Sequence, residues 1–358
     1  MPKTLFGYLN RLFLTRCAVF TIGLSAILSI FDLLANAGEV TQHNDSIFYS
    51  LMTYVWLRFP GIVNIIIPLA GLLAALSVFT TKVMSQEMIA VRSVGVSIYQ
   101  VVMIMIGGGL VVILVHFTLL NFVLPNSAQK LYLWSEMEYR GPPPESRASD
   151  QIPHWISAGN TIIKLQSAST DGTVLKGLSV ITRQPDGRLK DYFTAREANF
   201  ENGVWTLKQV QYPGSLQSGI TSEKVVLNLP IKPGFFARTI DNPESLGIAK
   251  LWQLASQDVA FEKPSYVYQV WLHQKFSQPV GLLVMILLAA PLGLQLARKD
   301  TMMMKSFYVI CGGFLFFIFE RLIATLGEGG FINAALAAWS PAIIFAMIAG
   351  WILLMEES

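Results

Sequence analysis

The sequence predicts a polytopic α-helical membrane protein with six transmembrane helices, three on either side of an inserted antiparallel β domain. Three observations lead there. The 358-residue chain is 53% hydrophobic and only 14% charged, whereas a soluble domain carries roughly 25% charged residues. Its mean hydropathy is +0.50. The charge is also segregated: long stretches hold almost none, while the region from about Tyr139 to Lys275 reads like an ordinary soluble protein. The net charge of +3 is too mild to imply a nucleic-acid partner.

A helix needs about 20 apolar residues to cross the hydrocarbon core. Six segments qualify: Leu12–Leu34, Phe59–Phe79, Ile98–Leu124, Pro279–Ala297, Ser306–Leu326 and Phe331–Met355. Asp32 lies near the end of the first, and Glu320 and Arg321 near the end of the fifth. Ala35-Asn36-Ala37 matches a small-residue cleavage site, so the first segment could be read as a signal peptide. It is longer than a usual signal core and contains Asp32, which favours a retained helix. Short loops then set the orientation. Lys3, Arg11, Arg16, Lys82, Arg92, Arg298, Lys299 and Lys305 fall on one side, and the short loops opposite, Ala35–Arg58 and Gly327–Ser340, hold only Arg58. Positive charge stays inside, so both termini are expected in the cytoplasm and the insert on the outer side.

Within the insert, continuous apolarity gives way to short alternating runs. Thr161–Leu165, Val174–Thr182, Arg188–Arg196, Val204–Val210 and Lys224–Leu229 read as strands. Asp171-Gly172, Pro185-Asp186-Gly187, Glu201-Asn202-Gly203 and Pro213-Gly214 separate them. Asp-Gly and Asn-Gly between such runs signal hairpins, and the spacing suits a sandwich or jelly roll. Gly141-Pro142-Pro143-Pro144 makes a stiff leading linker. After the sheet, Asn242-Pro243-Glu244 predicts a helix start, with Ile248, Leu251, Leu254 and Ala255 on one face. A further helical stretch from Tyr266 should run into the fourth span.

Several chemistries have no sequence support. There is no G-x-x-x-x-G-K-[ST] phosphate loop, and Gly107-Gly108-Gly109 lies inside the third span, where small residues permit close helix approach. H-E-x-x-H and G-x-S-x-G are missing, His43, His116, His154 and His273 are scattered, and Cys17 and Cys311 sit in or beside apolar runs. No metal site, catalytic residue or cofactor of the chain's own is expected.

The loop Ser85-Gln86-Glu87-Met88-Ile89-Ala90-Val91-Arg92-Ser93-Val94-Gly95 joins spans two and three on the inner side. Met88 and Val91 suggest a short amphipathic helix that Gly95 ends. From pattern alone, a helix resting in the membrane interface with solvated charges accounts for it equally well.

At this point the chain resembles the LptF/LptG permease family of lipopolysaccharide export, and LptG more than LptF. The resemblance runs over nearly the whole chain. It rests on Phe31-Asp32 with Ala37-Gly38, Pro60 and Pro68, Gln86-Glu87 with Ser93-Val94-Gly95, and Pro125. Further along it includes Phe200-Glu201-Asn202-Gly203-Val204-Trp205-Thr206-Leu207 and Lys275-Phe276-Ser277-Gln278-Pro279. It implies a periplasmic β-jellyroll at 139–240 with its linker, connecting helices at 241–274, and membrane bundles at 1–138 and 275–358. It also implies an inner-membrane location, an LptF-like partner permease, an LptB-like ATPase dimer that binds the ATP and magnesium, and an LptC-like bitopic partner that receives the lipid through its own jellyroll. In that family the loop glutamate, here Glu87 with Gln86 and Arg92 beside it, docks on the ATPase.

Lipopolysaccharide carries acyl chains below a phosphorylated sugar headgroup, so its carrier needs an apolar cavity rimmed by cations. Family members often place lysines around spans one and two and arginines after span three. Here Ser29, Ala35, Asn36, Gly61, Tyr132 and Ser135 stand at what look like those positions. Arg58, Lys130, Lys275 and Arg321 are the basic candidates instead, with Arg321 also able to pair with Glu320 or another intramembrane acid. Trp155 and Trp205, with Leu165 and Leu207, are candidates for a groove wall, although alternating apolar residues fill a sheet core anyway. Two other classes stay open: a non-transporting scaffold whose β domain recruits envelope proteins, and a self-sufficient secondary transporter using Asp32 and Glu320.

Overall fold

In hydrocarbon a backbone finds no water, so each spanning segment must satisfy its own hydrogen bonds as a helix. The computed structural model describes residues 3–43, 46–93, 95–143, 154–158, 161–169, 173–184, 188–201, 204–212, 225–227, 243–256, 263–294 and 299–357. Within them, six helices are long and apolar enough to cross a membrane. α1 (Lys3–Thr41) packs along α2 (Ile47–Met84), and a short α3 (Glu87–Ser93) leads into α4 (Ile98–Thr118). α4 passes through one π turn (Leu119–Val123) into α5 (Leu124–Glu136). After the insert come α6 (Ile248–Ala255), α7 (Ser265–Ala289) with a terminal 3-10 turn (Ala290–Leu294), α8 (Lys299–Glu328) and α9 (Ala334–Glu357). The chain divides into two compact units, Met1–Ala128 with Gln269–Ser358, and Gln129–Tyr268.

The helices overrun the apolar stretches that predicted them. α1 has 39 residues, which is about 58 Å at 1.5 Å per residue, nearly twice the ~30 Å of hydrocarbon. Hydropathy marks only what lipid must cover, and nothing in the flanks breaks a helix. The fourth span shifts most: expected from Pro279, it belongs to a helix beginning at Ser265. Gln274 and Lys275 diluted its apolarity in the sequence, yet both are buried.

In the membrane unit, Phe13, Leu72, Phe79, Met105, Leu282 and Met285 form the centre of the packing. Val19, Ile22, Trp56, Leu114, Phe122, Ile318 and Trp351 face outward, an apolar exterior that only lipid or neighbouring spans can cover. Glycine sets one helix crossing. A Cβ at Gly327 would lie 3.0 Å from Val270 Cγ2 and closer still to the Ala337 Cβ. Gly327→Val is therefore expected to cost about 1–3 kcal/mol by overpacking, read as a lower thermal midpoint in detergent. An unchanged midpoint would show that this crossing opens freely.

In the second unit the described strands form one antiparallel sheet. They are β1 (His154–Ala158), β2 (Thr161–Leu165), β3 (Ser167–Ala168), β4 (Val174–Arg183), β5 (Leu189–Glu201), β6 (Val204–Gln211) and β7 (Val225–Leu227). Their order is β1-β2-β4-β5-β6-β7, with β3 also against β4. β2 and β3 lie end to end along β4 in one register. The described pairings are those of a meander; crossed jellyroll connections are not among them. β1 was not foreseen, and β5 runs on to Glu201. Glu201 pairs with Val204; the turn expected at Asn202-Gly203 lies outside the described residues. The turns at Asp171-Gly172, Pro185–Gly187 and Pro213-Gly214 also lie outside them.

Burial alternates along these strands but slips by one position at a single aligned row. Leu178 and Val180 are buried and then Leu175; Phe193 and Ala195, then Ala198; Trp205 and Leu207, then Val210. Gly177 and Gln209 sit in that row with φ of 65° and 55°, a left-handed backbone that is rare for glutamine. Beyond the sheet, α6 starts at Ile248 after an extended Gly247, not at Pro243. Leu246 and Leu251, the positions of a hydrophobic staple, are both buried and fix the later start.

Candidate functional site

The loop between α2 and α4 is built around one carboxylate. Ser85 closes α2 and Gln86 takes a left-handed φ of 59°, which turns the chain so that α3 opens on Glu87. Met88 is buried in the bundle core with Val91 packed against it, so α3 is docked by its apolar face. Gly95 follows with a φ of 85°, where a glycine incurs no Cβ penalty. Ser97 then caps α4 in a reciprocal box with Gln100.

Lys82 Nζ donates to Glu87 Oε2 at 2.6 Å, and Ser85 Oγ donates to Oε1 at 3.1 Å. Lys82 also bonds the Tyr8 hydroxyl and lies 4.6 Å from the centre of that ring. The hydrogen bond from Lys82 holds the Glu87 carboxyl below the usual carboxylate range, helped by Ser85 and opposed by partial burial. The lysine side chain is 7% exposed and that of Glu87 49%. Half-exposed ion pairs add little stability; this one orients an anion toward solvent. Gln86 is exposed beside it, and the Arg92 side chain lies outside the described residues. In the sequence Lys82 served only to set the orientation and Tyr8 was not singled out, because their partnership crosses two helices.

The four basic candidates occupy different surroundings. Arg58 Nε donates to Asp32 Oδ1 at 3.2 Å, and the Tyr54 hydroxyl donates to Oδ2 at 2.8 Å, so the charge of Arg58 is already matched. Lys130 is exposed on α5. Lys275 is 4% exposed, with its ammonium donating to the Leu120 carbonyl at 3.2 Å. Arg321 is 72% exposed and lies 3.9 Å from Glu328, the acid that also accepts from Trp271 Nε1 at 2.9 Å. Its acidic neighbour is thus Glu328 at the helix end, one of the two pairings the sequence left open. Trp205 is buried in the sheet core, 5.1 Å from the Phe200 ring, and the side chain of Trp155 lies outside the described residues.

Arg321 also borders a cleft of about 290 Å³ within the membrane unit. Asn64 from α2, His116 from α4, Gln274 and Gln278 from α7, and Glu320 from α8 converge on it, against Phe316 and Phe317. His116 is fully buried and its Nε2 lies 2.8 Å from Asn64 Oδ1. Polar groups at membrane depth are costly and mark functional surfaces. Glu320 stood out in the sequence as a charge in an apolar run, and Gln274 and Gln278 share a helix face at i and i+4. Asn64 and His116 are single polar positions within apolar stretches, and no local pattern announced that they converge here. Among the described residues no group of three histidine, cysteine or acidic side chains could hold a metal ion.

The profile described as lipopolysaccharide export system permease LptF/LptG matches residues 7–355. The chain belongs to the LptF/LptG family. Similar LptF/LptG proteins include the lipopolysaccharide export system permease protein LptG of Escherichia coli strain K12, 23% identical over 348 residues, which covers 94% of this chain and 93% of that protein. The protein of the same name from Haemophilus influenzae is 22% identical over 339 residues, covering 93% and 92%. This LptF/LptG member is thus a multi-pass permease of lipopolysaccharide export, with six apolar helices and an inserted antiparallel sheet.

Proposed function

We propose that this chain is the LptG-type permease of an ATP-driven exporter, which draws lipopolysaccharide from the periplasmic leaflet of the inner membrane and passes it to a periplasmic jellyroll bridge. The presentation of Glu87 carries the reading. A chain without a phosphate loop needs a rigid contact through which an ATPase moves it, and an oriented, half-exposed carboxylate on a docked helix suits an arginine in such a partner. The partners are an LptF-like permease, an LptB-like ATPase dimer holding ATP and magnesium, and an LptC-like bitopic protein. The excess of basic loop residues beside Glu87 supports cytoplasmic termini and a periplasmic sheet. The relatives named LptG favour that paralogue over an LptF type.

In this orientation Arg321, about 33 Å along α8 from Lys299, lies toward the outer leaflet, where a phosphorylated headgroup sits. Arg58, neutralised by Asp32, has less to offer. In photo-crosslinking of lipopolysaccharide from the cleft, Arg321→Gln should lower the yield severalfold and Arg58→Gln should change it little. Equal effects would remove Arg321 from the lipid path. Co-purification tests the class: an exporter subunit brings down an ATPase and a second permease, and a scaffold need bring neither.

A further inference from the structure

The aligned slip in the sheet concentrates charge. Neighbouring residues in a strand normally face opposite sides. Here Arg196 with Glu197, and Lys208 with Gln209, line one pocket of about 430 Å³ together with Lys176. The left-handed turns at Gly177 and Gln209 accompany this break in alternation. Gly177 suits its place because its φ disfavours other residues, and a Cβ there would come within 2.5–2.8 Å of the Gln166 side chain, which would have to move.

Across the strands, Lys176 faces Glu197 and Glu197 faces Lys208. Lys208 Nζ donates to Glu197 Oε1 at 3.1 Å. Cross-strand pairing of that kind stabilises sheets by itself, and it accounts for one lysine. It does not account for the second, or for Arg196, whose guanidinium meets, among the described residues, the neutral Gln209 amide at 3.5 Å. Among the described residues, three cations thus share one carboxylate. Hydrogen bonding from Lys208 holds the Glu197 carboxyl below its ordinary range, so the acid is ionised at the near-neutral pH where phosphate is a dianion, and among the described lining residues two positive charges remain in excess.

We propose that this crease binds phosphate, as the phosphomonoester of a sugar headgroup or as the free ion. A phosphate dianion matches the excess charge, and a guanidinium flanked by ammonium groups gives a planar fork and point charges for its oxygens. Assigning the phosphate to the exported glycolipid rests on the export reading; the anion chemistry does not.

The test is calorimetric titration of the full-length protein in detergent with glucosamine 1-phosphate, inorganic phosphate and glucosamine. Saturable binding of a phosphate compound, with none of glucosamine, is expected. Arg196→Gln should weaken it at least tenfold, and Glu197→Gln, which removes the competing anion, should tighten it severalfold. Misfolding cannot produce those opposite shifts. Preference for the sugar phosphate assigns the site to a headgroup; equal binding of inorganic phosphate keeps the site and makes free phosphate its ligand. No saturable phosphate binding, or binding indifferent to both substitutions, overturns the proposal. Recovery of an ATPase partner does not depend on the crease, so the export reading stands or falls separately.

Discussion

Glu87→Ala should abolish coupled export while the protein still inserts and folds. The carboxylate is fixed by Lys82 at 2.6 Å and Ser85 at 3.1 Å, and α3 is held by the buried Met88. Lys82 keeps the Tyr8 hydroxyl as a partner, so removing the acid deletes the docking charge while Met88 still seats α3. Truncating one partner of a buried, hydrogen-bonded charge pair costs about 2–5 kcal/mol, which weakens ATPase docking by about 30-fold or more. Recovery of the ATPase with the tagged permease measures that loss, and in vitro lipid release measures its consequence. Lys82→Met keeps the anion but frees its rotamers; ordering such a side chain costs about 0.5–1.5 kcal/mol, so a two- to tenfold loss is expected. If assembly and export survive Glu87→Ala, the docking role is wrong.

The sequence exposed whatever depends on a long run of residues. Six apolar stretches and the segregated charge give the spans, because lipid tests each helix over about 20 residues. Alternation and Asn-Gly chemistry gave β4, β5 and β6 for the same reason. What stayed hidden depends on single residues meeting across space. Tyr8 reaches Lys82 from another helix, and His116 meets Asn64 across 52 positions of chain. The slip at Gly177 and Gln209 was hidden too, since glutamine in a strand does not advertise a left-handed backbone. The four candidate cations illustrate the limit. Arg58, Lys130, Lys275 and Arg321 look equivalent as letters, but one faces an acid, one lies exposed on α5, one donates into the bundle and one borders a cleft.

Lys275 has the clearest physical account of the four, and it gives the second large effect. In the π turn after α4, each N–H reaches the carbonyl five residues back, and that of Leu124 bonds Leu119. The next donor in this pattern would be residue 125 reaching Leu120. Residue 125 is proline, which has no N–H to give. The Lys275 ammonium, from α7, donates to that same Leu120 carbonyl. Lys275→Met should leave the acceptor unsatisfied and cost about 1–3 kcal/mol, seen as a lower unfolding midpoint in detergent. Pro125→Ala restores a backbone donor beside it, so Lys275→Met should cost less in that background. The pair should then be non-additive by about 1 kcal/mol, within the range found for groups that share a partner. Strict additivity would mean that the lysine and the missing proline hydrogen are unrelated, and that the burial of Lys275 serves some contact other than the carbonyl of Leu120.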